Sequence, residues 1–274
     1  MKNFALIGLG GIASRHRAAI KDNEGYLAAA CDIDIKKRID WESYRGICYL
    51  VSDYKMVDSM REINWVSICT PNDLHYEMAK YFADNGYKVI CEKPFVLKPE
   101  QCDTFDNNVF VVHQLRFDDD LKRLKKRLAD IKFNHYAKMV ISIHRGQEYW
   151  NSWKGQIERS GGLLFNIGVH YIDLLCWLFG EMKDYDFTGN HRQCAGTLKF
   201  EKVTADFTLS LEAEKDNQKR YLIINGLEEI NLARNLESLH SKVYKEALEG
   251  KGIHPKDIKY TLEVIKELSQ KLGD

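Results

Sequence analysis

The chain has 274 residues, 45% hydrophobic and 29% charged, enough to bury a full core and to form one large or two ordinary domains. Lys plus Arg equals Asp plus Glu at 40 each, so no net field favours nucleic acid or an anionic membrane, and a small molecule becomes the default partner. Seven cysteines without a C-x-x-C pair, and no apolar run of about 18 residues or signal-like start, lead us to expect a cytoplasmic protein with free thiols, no disulfide framework and no metal site.

Residues 3–7 are an apolar run of strand length that enters G-x-G-x-x-A at Gly8, Gly10 and Ala13, with Gly11 and Ile12 inside the turn. A helix-like segment, 12–20, leaves it. This is the strand, turn and helix context of a dinucleotide fingerprint. Gly8 permits the tight turn, Gly10 lets backbone approach a pyrophosphate, and Ala13 allows close helix packing, so phosphates can rest on the helix start. A second strand, 27–31, ends in Asp32, at the expected separation of about 20 residues.

Residues 33–44 read as a polar surface segment, 47–51 as a short strand, and 53–62 as a short helix face. The strand 65–69 ends in Thr70-Pro71-Asn72, where Pro71 has no N–H to donate, and a helix with Leu74, Met78 and Phe82 on one face follows. Strand 87–91 runs into Glu92-Lys93-Pro94, and 109–113 into Gln114-Leu115-Arg116. Strands alternating with helices predict a doubly wound parallel sheet over residues 1–114, with its ligand site beyond the carboxyl ends of the strands. The glycine turn, Asp32, Thr70-Pro71-Asn72, Glu92-Lys93-Pro94 and Gln114 all fall at such ends.

From residue 115 the character changes. Residues 118–130 form a charged helix with acids first and bases last, which suits the helix dipole. Strands at 138–144, 196–200, 203–211 and 221–224, with Asn225-Gly226 as a hairpin turn, predict a second α/β domain over 115–274 with a large, mainly antiparallel, open-faced sheet. A helix-like segment spans 168–179, and the tail, 235–273, reads as two amphipathic helices, the second opened by Pro255.

Three constellations can carry chemistry. Lys93, partly desolvated beside a bound ring, can serve as acid, base or hydroxyl donor, although an isolated Lys-Pro turn is usually only a surface turn. Asn166 and His170 stand at i and i+4 and share a helix face, where the plain alternative is a satisfied core histidine. Arg145, Trp153, Lys154 and Arg159 lie in an aromatic and basic segment that can grip a carboxylate or diphosphate, or simply pack its tryptophans on a sheet.

Read together, G-x-G-x-x-A, C-D, C-T-P-N-x-x-H, C-E-K-P and the block from Gly161 to Asp173 resemble the Gfo/Idh/MocA oxidoreductases, across both halves of the chain. The resemblance implies a Rossmann domain, a C-terminal α/β domain that supports homo-oligomers, and NAD oxidising a sugar or cyclitol hydroxyl. It extends the cofactor set to Gly8, Gly10, Gly11, Ile12, Ala13, Asp32, Thr70, Pro71, Asn72, His75, Glu92, Lys93 and Gln114. It also makes Lys93 and His170 the groups flanking the reacting carbon. Asn166 stands where the family more often has Asp; an amide cannot take a proton, so it orients. Gln114-Leu115-Arg116, Ser152-Trp153-Lys154-Gly155 and Asn166-Ile167-Gly168-Val169-His170 resemble the UDP-N-acetylglucosaminuronate (UDP-GlcNAcA) 3-dehydrogenases of surface-polysaccharide synthesis.

That resemblance implies a UDP-sugar substrate met by Lys93, Arg116, Arg145, Trp153, Lys154, Arg159, Asn166 and His170. Asp32 is expected to accept ribose hydroxyls and favour NAD over NADP. The alternatives are a related sugar or inositol dehydrogenase, or a catalytically silent NAD-binding regulatory protein. The connection from Pro94 to Val109 is short and leaves little room for the helix the family usually has there.

Overall fold

The computed structural model describes residues 2–43, 47–129, 133–233 and 236–273; Tyr44, Asp130 and Asn235, where expected segments begin or end, lie outside the described residues. In chain order the elements begin β1 (Asn3–Ile7), α1 (Ala13–Asp22), β2 (Tyr26–Cys31), α2 (Ile35–Glu42), β3 (Tyr49–Val51), β4 (Trp65–Ile68), α3 (His75–Asp84), β5 (Lys88–Cys91) and β6 (Val109–Val111). Then come α4 (Asp119–Ala129), β7 (His135–Ser142), α5 (Gln147–Asn151), α6 (Ile157–Ser160), α7 (Val169–Phe179), β8 (Met182–Asn190), β9 (Gln193–Phe200) and β10 (Val203–Ser210). The last are β11 (Lys219–Ile224), β12 (Glu228–Asn231), α8 (Leu236–Leu248), α9 (Pro255–Ser269) and β13 (Leu272–Gly273). Two compact units result: Met1–Gln114 with Glu237–Lys259, and Leu115–Leu236 with Tyr260–Asp274.

The first unit is a six-stranded sheet in the order β3-β2-β1-β4-β5-β6, every pair parallel. All five residues of β1 are buried, as a strand covered on both faces requires. The winding reverses between β1 and β4, which sets their carboxyl ends side by side, the place where open α/β sheets bind ligands. There Cys69 N donates to the Ile7 carbonyl at 2.7 Å and Gly8 N to Cys31 at 2.8 Å. Residues 35–42, expected only as a polar surface segment, form a helix because Asp34 caps it, accepting from Lys36 N at 2.9 Å. The short link after Pro94 holds a single 3-10 turn, Pro99–Thr104, pinned by Phe95 against Phe105 at 4.9 Å between ring centroids. Edge strand β6 is covered by the segment leading into α9: Val111 N donates to Ile253 O at 2.8 Å and the His254 ring lies tilted, 4.8 Å from that of Phe110.

The second unit is a seven-stranded sheet in the order β12-β11-β7-β10-β9-β8-β13. Antiparallel pairs dominate, while β7 with β10 and β8 with β13 run parallel. One face is apolar: Ala137, Met139 and Ile141 on β7 and Ala205, Phe207 and Leu209 on β10 are buried. Gly168 lets the helical segment before α7 approach that face, since a Cβ there would stand 3.4 Å from Leu209. Asn225 and Gly226 turn the β11–β12 hairpin with φ of +53° and +69°. Strand β8 escaped the sequence reading because Phe187 is its only fully buried residue and no apolar alternation marks it. No unbroken run of about 18 apolar residues is expected from the sequence, yet one helical run, Ile157–Phe179, is long and on average apolar enough to span a membrane. It has 23 residues, and 78% of its apolar window is buried, as in a core helix. All seven cysteines are free thiols, and all but Cys48 are buried.

Candidate active site

At the β1 turn, Gly8 holds φ +91° and a Cβ would stand 2.7 Å from the Cys69 carbonyl oxygen, so no side chain fits. Above Gly10 and Gly11 the space is open, with nothing within 4 Å of an added Cβ. Helix α1 starts at Ala13 with no side-chain cap and no acid in its first turn, the electrostatic condition for receiving an anion. Asp32 is 8% exposed, and its carboxylate is aimed by main-chain donors: Leu9 N reaches Oδ2 at 2.8 Å and Asp34 N reaches Oδ1 at 2.9 Å. Thr70 Oγ1 and Gln114 Oε1, two of the expected cofactor atoms, are buried without a hydrogen-bond partner. An open glycine cradle, a fixed carboxylate and two orphaned polar atoms at strand ends fit a dinucleotide.

Two residues from the same expected set face inward instead. His75 Nδ1 lies 2.7 Å from Pro94 O and Nε2 2.9 Å from Thr70 O, so whichever ring nitrogen carries the hydrogen donates to its carbonyl, at the ends of β5 and β4. Burial pushes its proton affinity down against the pull of both carbonyls. Glu92 is 7% exposed, and its Oε1 meets His16 Nε2 at 2.9 Å and His240 Nε2 at 3.3 Å. Burial alone would raise this carboxyl, yet the two imidazole donors hold it well below the usual range. The three donor atoms lie within 4.8 Å of one another, as metal ligands would, but each contact is already at hydrogen-bond length. Lys93 follows directly, and its N–H reaches Glu92 Oε2 at 3.2 Å. Pro71 and Asn72 begin the 3-10 turn ahead of α3, with Asn72 4% exposed.

In the second unit, Asn166 lies in a widened, π-type turn, Leu164–Gly168, and not in the regular helix start its spacing suggested. It is 5% exposed and donates Nδ2 to the Tyr149 hydroxyl at 2.7 Å. His170 follows in the first turn of α7 and is partly exposed. The Arg145 guanidinium lies 5.5 Å from the Tyr149 ring, and Lys154 Nζ lies 5.8 Å from the Trp153 ring. Burial lowers the proton affinity of both cations, and their mutual repulsion lowers that of Lys154 further. Arg220, unforeseen from the sequence, faces Arg145 from β11, the neighbour of β7 in the sheet. Tyr171, whose hydroxyl burial pushes up, faces both guanidiniums. Among the described residues, no carboxylate pairs with Arg145, Lys154 or Arg220. Two half-buried guanidiniums and an exposed ammonium, without a carboxylate partner among the described residues, make a place for an anion. Arg159 lies in the last turn of α6.

Arg116 is paired with an acid. It forms a two-pronged pair with Asp173, Nε to Oδ2 at 2.9 Å and Nη2 to Oδ1 at 2.5 Å, with Thr261 Oγ1 adding a bond to Oδ1 at 3.2 Å. The guanidinium expected to meet substrate is thus occupied inside its own unit. Sequence reading missed His16, His240, Tyr244 and Arg220; only the i, i+4 spacing of His240 and Tyr244 hinted at a shared helix face.

The profile of the Gfo/Idh/MocA oxidoreductase family with NAD-binding Rossmann fold matches residues 2–108, and that of its C-terminal alpha/beta domain matches residues 123–231. The WlbA (WbpB) dehydrogenase of Thermus thermophilus, solved with NAD and alpha-ketoglutarate, superposes with a TM-score of 0.90 at 28% identity, covering 100% of this chain and 97% of that one. Its complex with NAD and UDP-GlcNAcA gives 0.88 at 29%, covering 98% and 95%. The D-glucoside 3-dehydrogenase of Escherichia coli is 27% identical over 206 residues, 71% of this chain and 59% of its own. The 2,7-anhydro-N-acetylneuraminate hydratase of Mediterraneibacter gnavus is 27% identical over 195 residues, 66% and 50%. Alignments with these two curated relatives therefore span only half to three-fifths of their length. With both family domains present in order and the Rossmann cradle intact, the chain belongs to the Gfo/Idh/MocA oxidoreductases.

Proposed function

We propose that the protein oxidises the C3 hydroxyl of a UDP-linked acetamido-uronic acid, UDP-GlcNAcA, to the 3-keto sugar, a step in nucleotide-sugar metabolism for surface polysaccharide. The observation that carries this reading is the group of cations Arg145, Lys154 and Arg220, which lacks a carboxylate partner among the described residues and reaches Asn166 through Tyr149. An uncharged glucoside or inositol would leave those cations desolvated and unmatched, at a cost in binding.

When bound, NAD supplies the hydride acceptor. Gly8, Gly10, Gly11 and the start of α1 would hold its phosphates, and Asp32 its adenosine ribose. In this reading His170 takes the hydroxyl proton, Lys93 holds or polarises the same oxygen, and Asn166 fixes the sugar, since its amide cannot accept a proton.

The resemblance to a D-glucoside 3-dehydrogenase supports a second reading, oxidation of a neutral sugar or cyclitol at a comparable carbon. Absorbance of reduced cofactor with NAD and a panel of UDP-GlcNAcA, UDP-GlcNAc, glucosides and inositols separates the two. UDP-GlcNAcA should give a kcat/KM at least about 100-fold above UDP-GlcNAc, the discrimination expected when a matched charge is removed. Preference for a neutral substrate would replace this reading, and NADH binding without turnover of any member would mark a silent protein.

A further inference from the structure

Helix α8 returns from the far end of the sequence to the first unit and brings His240, Ser241 and Tyr244 onto it. Each makes a polar contact there. His240 Nε2 meets Glu92 Oε1 at 3.3 Å, the Ser241 carbonyl accepts from Asn23 Nδ2 at 3.0 Å, and the Tyr244 hydroxyl lies 2.8 Å from His16 Nδ1 and 2.6 Å from Ser67 Oγ. His16 closes the circuit through Nε2 to the same Glu92 oxygen at 2.9 Å. His16, His240 and Tyr244 are each 1% exposed or less.

The hydrogen-bond roles are consistent throughout. Burial keeps His16 neutral, so Nε2–H donates to the carboxylate and Nδ1 accepts the Tyr244 proton. Tyr244 in turn accepts from Ser67. Such a network is weak evidence for a purely stabilising role, because replacing buried polar groups by apolar side chains of similar volume is often neutral or stabilising. Its specificity lies in direction: the chain Ser67–Tyr244–His16 and the imidazole of His240 both end on Glu92, whose other oxygen accepts the N–H of Lys93.

We propose that His240 and Tyr244 are positioning residues for Lys93, acting through His16 and Glu92. The inference rests on the reading of Lys93 as a reacting group given above. Helix α8 then fixes the backbone that presents the ammonium, so that loss of a single buried hydroxyl or imidazole disturbs Lys93 more than the glycine turn.

The test compares His240→Ala, His240→Gln and Tyr244→Phe with the wild type, in the full-length protein, by three readouts: NADH affinity, kcat and KM with UDP-GlcNAcA, and the rate at which pyridoxal phosphate and borohydride label Lys93, resolved by peptide mass spectrometry. His240→Ala should lower kcat at least about tenfold and change Lys93 labelling at least about threefold, with KM and NADH affinity within about threefold. His240→Gln, which keeps a donor near the Nε2 position, should recover most of the loss. Tyr244→Phe removes one oxygen, carries the comparison if the alanine variant does not fold, and should move the readouts in the same direction. Wild-type kcat and labelling in both His240→Ala and Tyr244→Phe, or a loss that Gln does not restore, would overturn the proposal. If the wild type turns over no UDP-sugar, the functional reading falls, while the labelling rates still decide this one.

Discussion

Asn166 donates to the Tyr149 hydroxyl at 2.7 Å, joining the turn before α7 to the segment that carries Arg145 and Lys154. The amide is thereby oriented toward Tyr149. Tyr149→Phe removes that constraint and also the hydroxyl facing the cations. We expect kcat/KM for UDP-GlcNAcA to fall about tenfold, the scale of one lost neutral hydrogen bond in a buried site. Steady-state kinetics checks this, and an unchanged kcat/KM would detach Tyr149 from the substrate.

The Arg116–Asp173 pair predicts a different phenotype. Its side chains are 12% and 2% exposed, so Arg116→Ala leaves a buried carboxylate unpaired and should cost about 3–5 kcal/mol of stability. Urea unfolding of the variant measures it. NADH affinity should stay at the wild-type value.

Two glycines, two residues apart, should separate folding from cofactor binding. Gly8→Ala forces a side chain onto the Cys69 carbonyl at positive φ and should destabilise the fold by roughly 1–3 kcal/mol. Gly10→Val enters open space, so thermal stability should hold while NADH binding weakens at least about tenfold. Fluorescence titration beside thermal melts distinguishes the two.

Much of this was legible in the sequence because it is local. The glycine turn, Asp32 and the strand-end residues 70–72, 92–94 and 114 are set by a strand followed at once by its loop, and the parallel winding gathers those loops at one edge. What remained hidden depends on contacts distant along the chain. Glu92 meets a histidine 148 residues later, and Arg116 an aspartate 57 residues later; neither separation leaves a periodic mark. The π-type turn at Asn166 hid for another reason, since α and π turns share the same apolar residues and differ in packing.

Buried neutral histidines set the acid limit of stability. Burial lowers the proton affinity of His16 and His75 below the ordinary value of 6.5, so the unfolded chain binds more protons than the folded one. Their contribution is complete above that value and is lost as the pH falls below it, by up to about 1.4 kcal/mol per pH unit for each proton. Glu92, held below its ordinary 4.5, extends the loss in the same direction at lower pH. Urea midpoints from pH 8 to about 4 should decline on the acid side, and His16→Gln should flatten the slope.

In the proposed reaction Lys93 and His170 handle the substrate hydroxyl. The direct measurement is turnover of UDP-GlcNAcA by Lys93→Ala and His170→Ala, each with its NADH affinity determined in the same preparation. The account predicts a loss of at least about 100-fold in kcat for each variant with NADH affinity within about threefold of wild type. Turnover near the wild-type rate in either variant would contradict it.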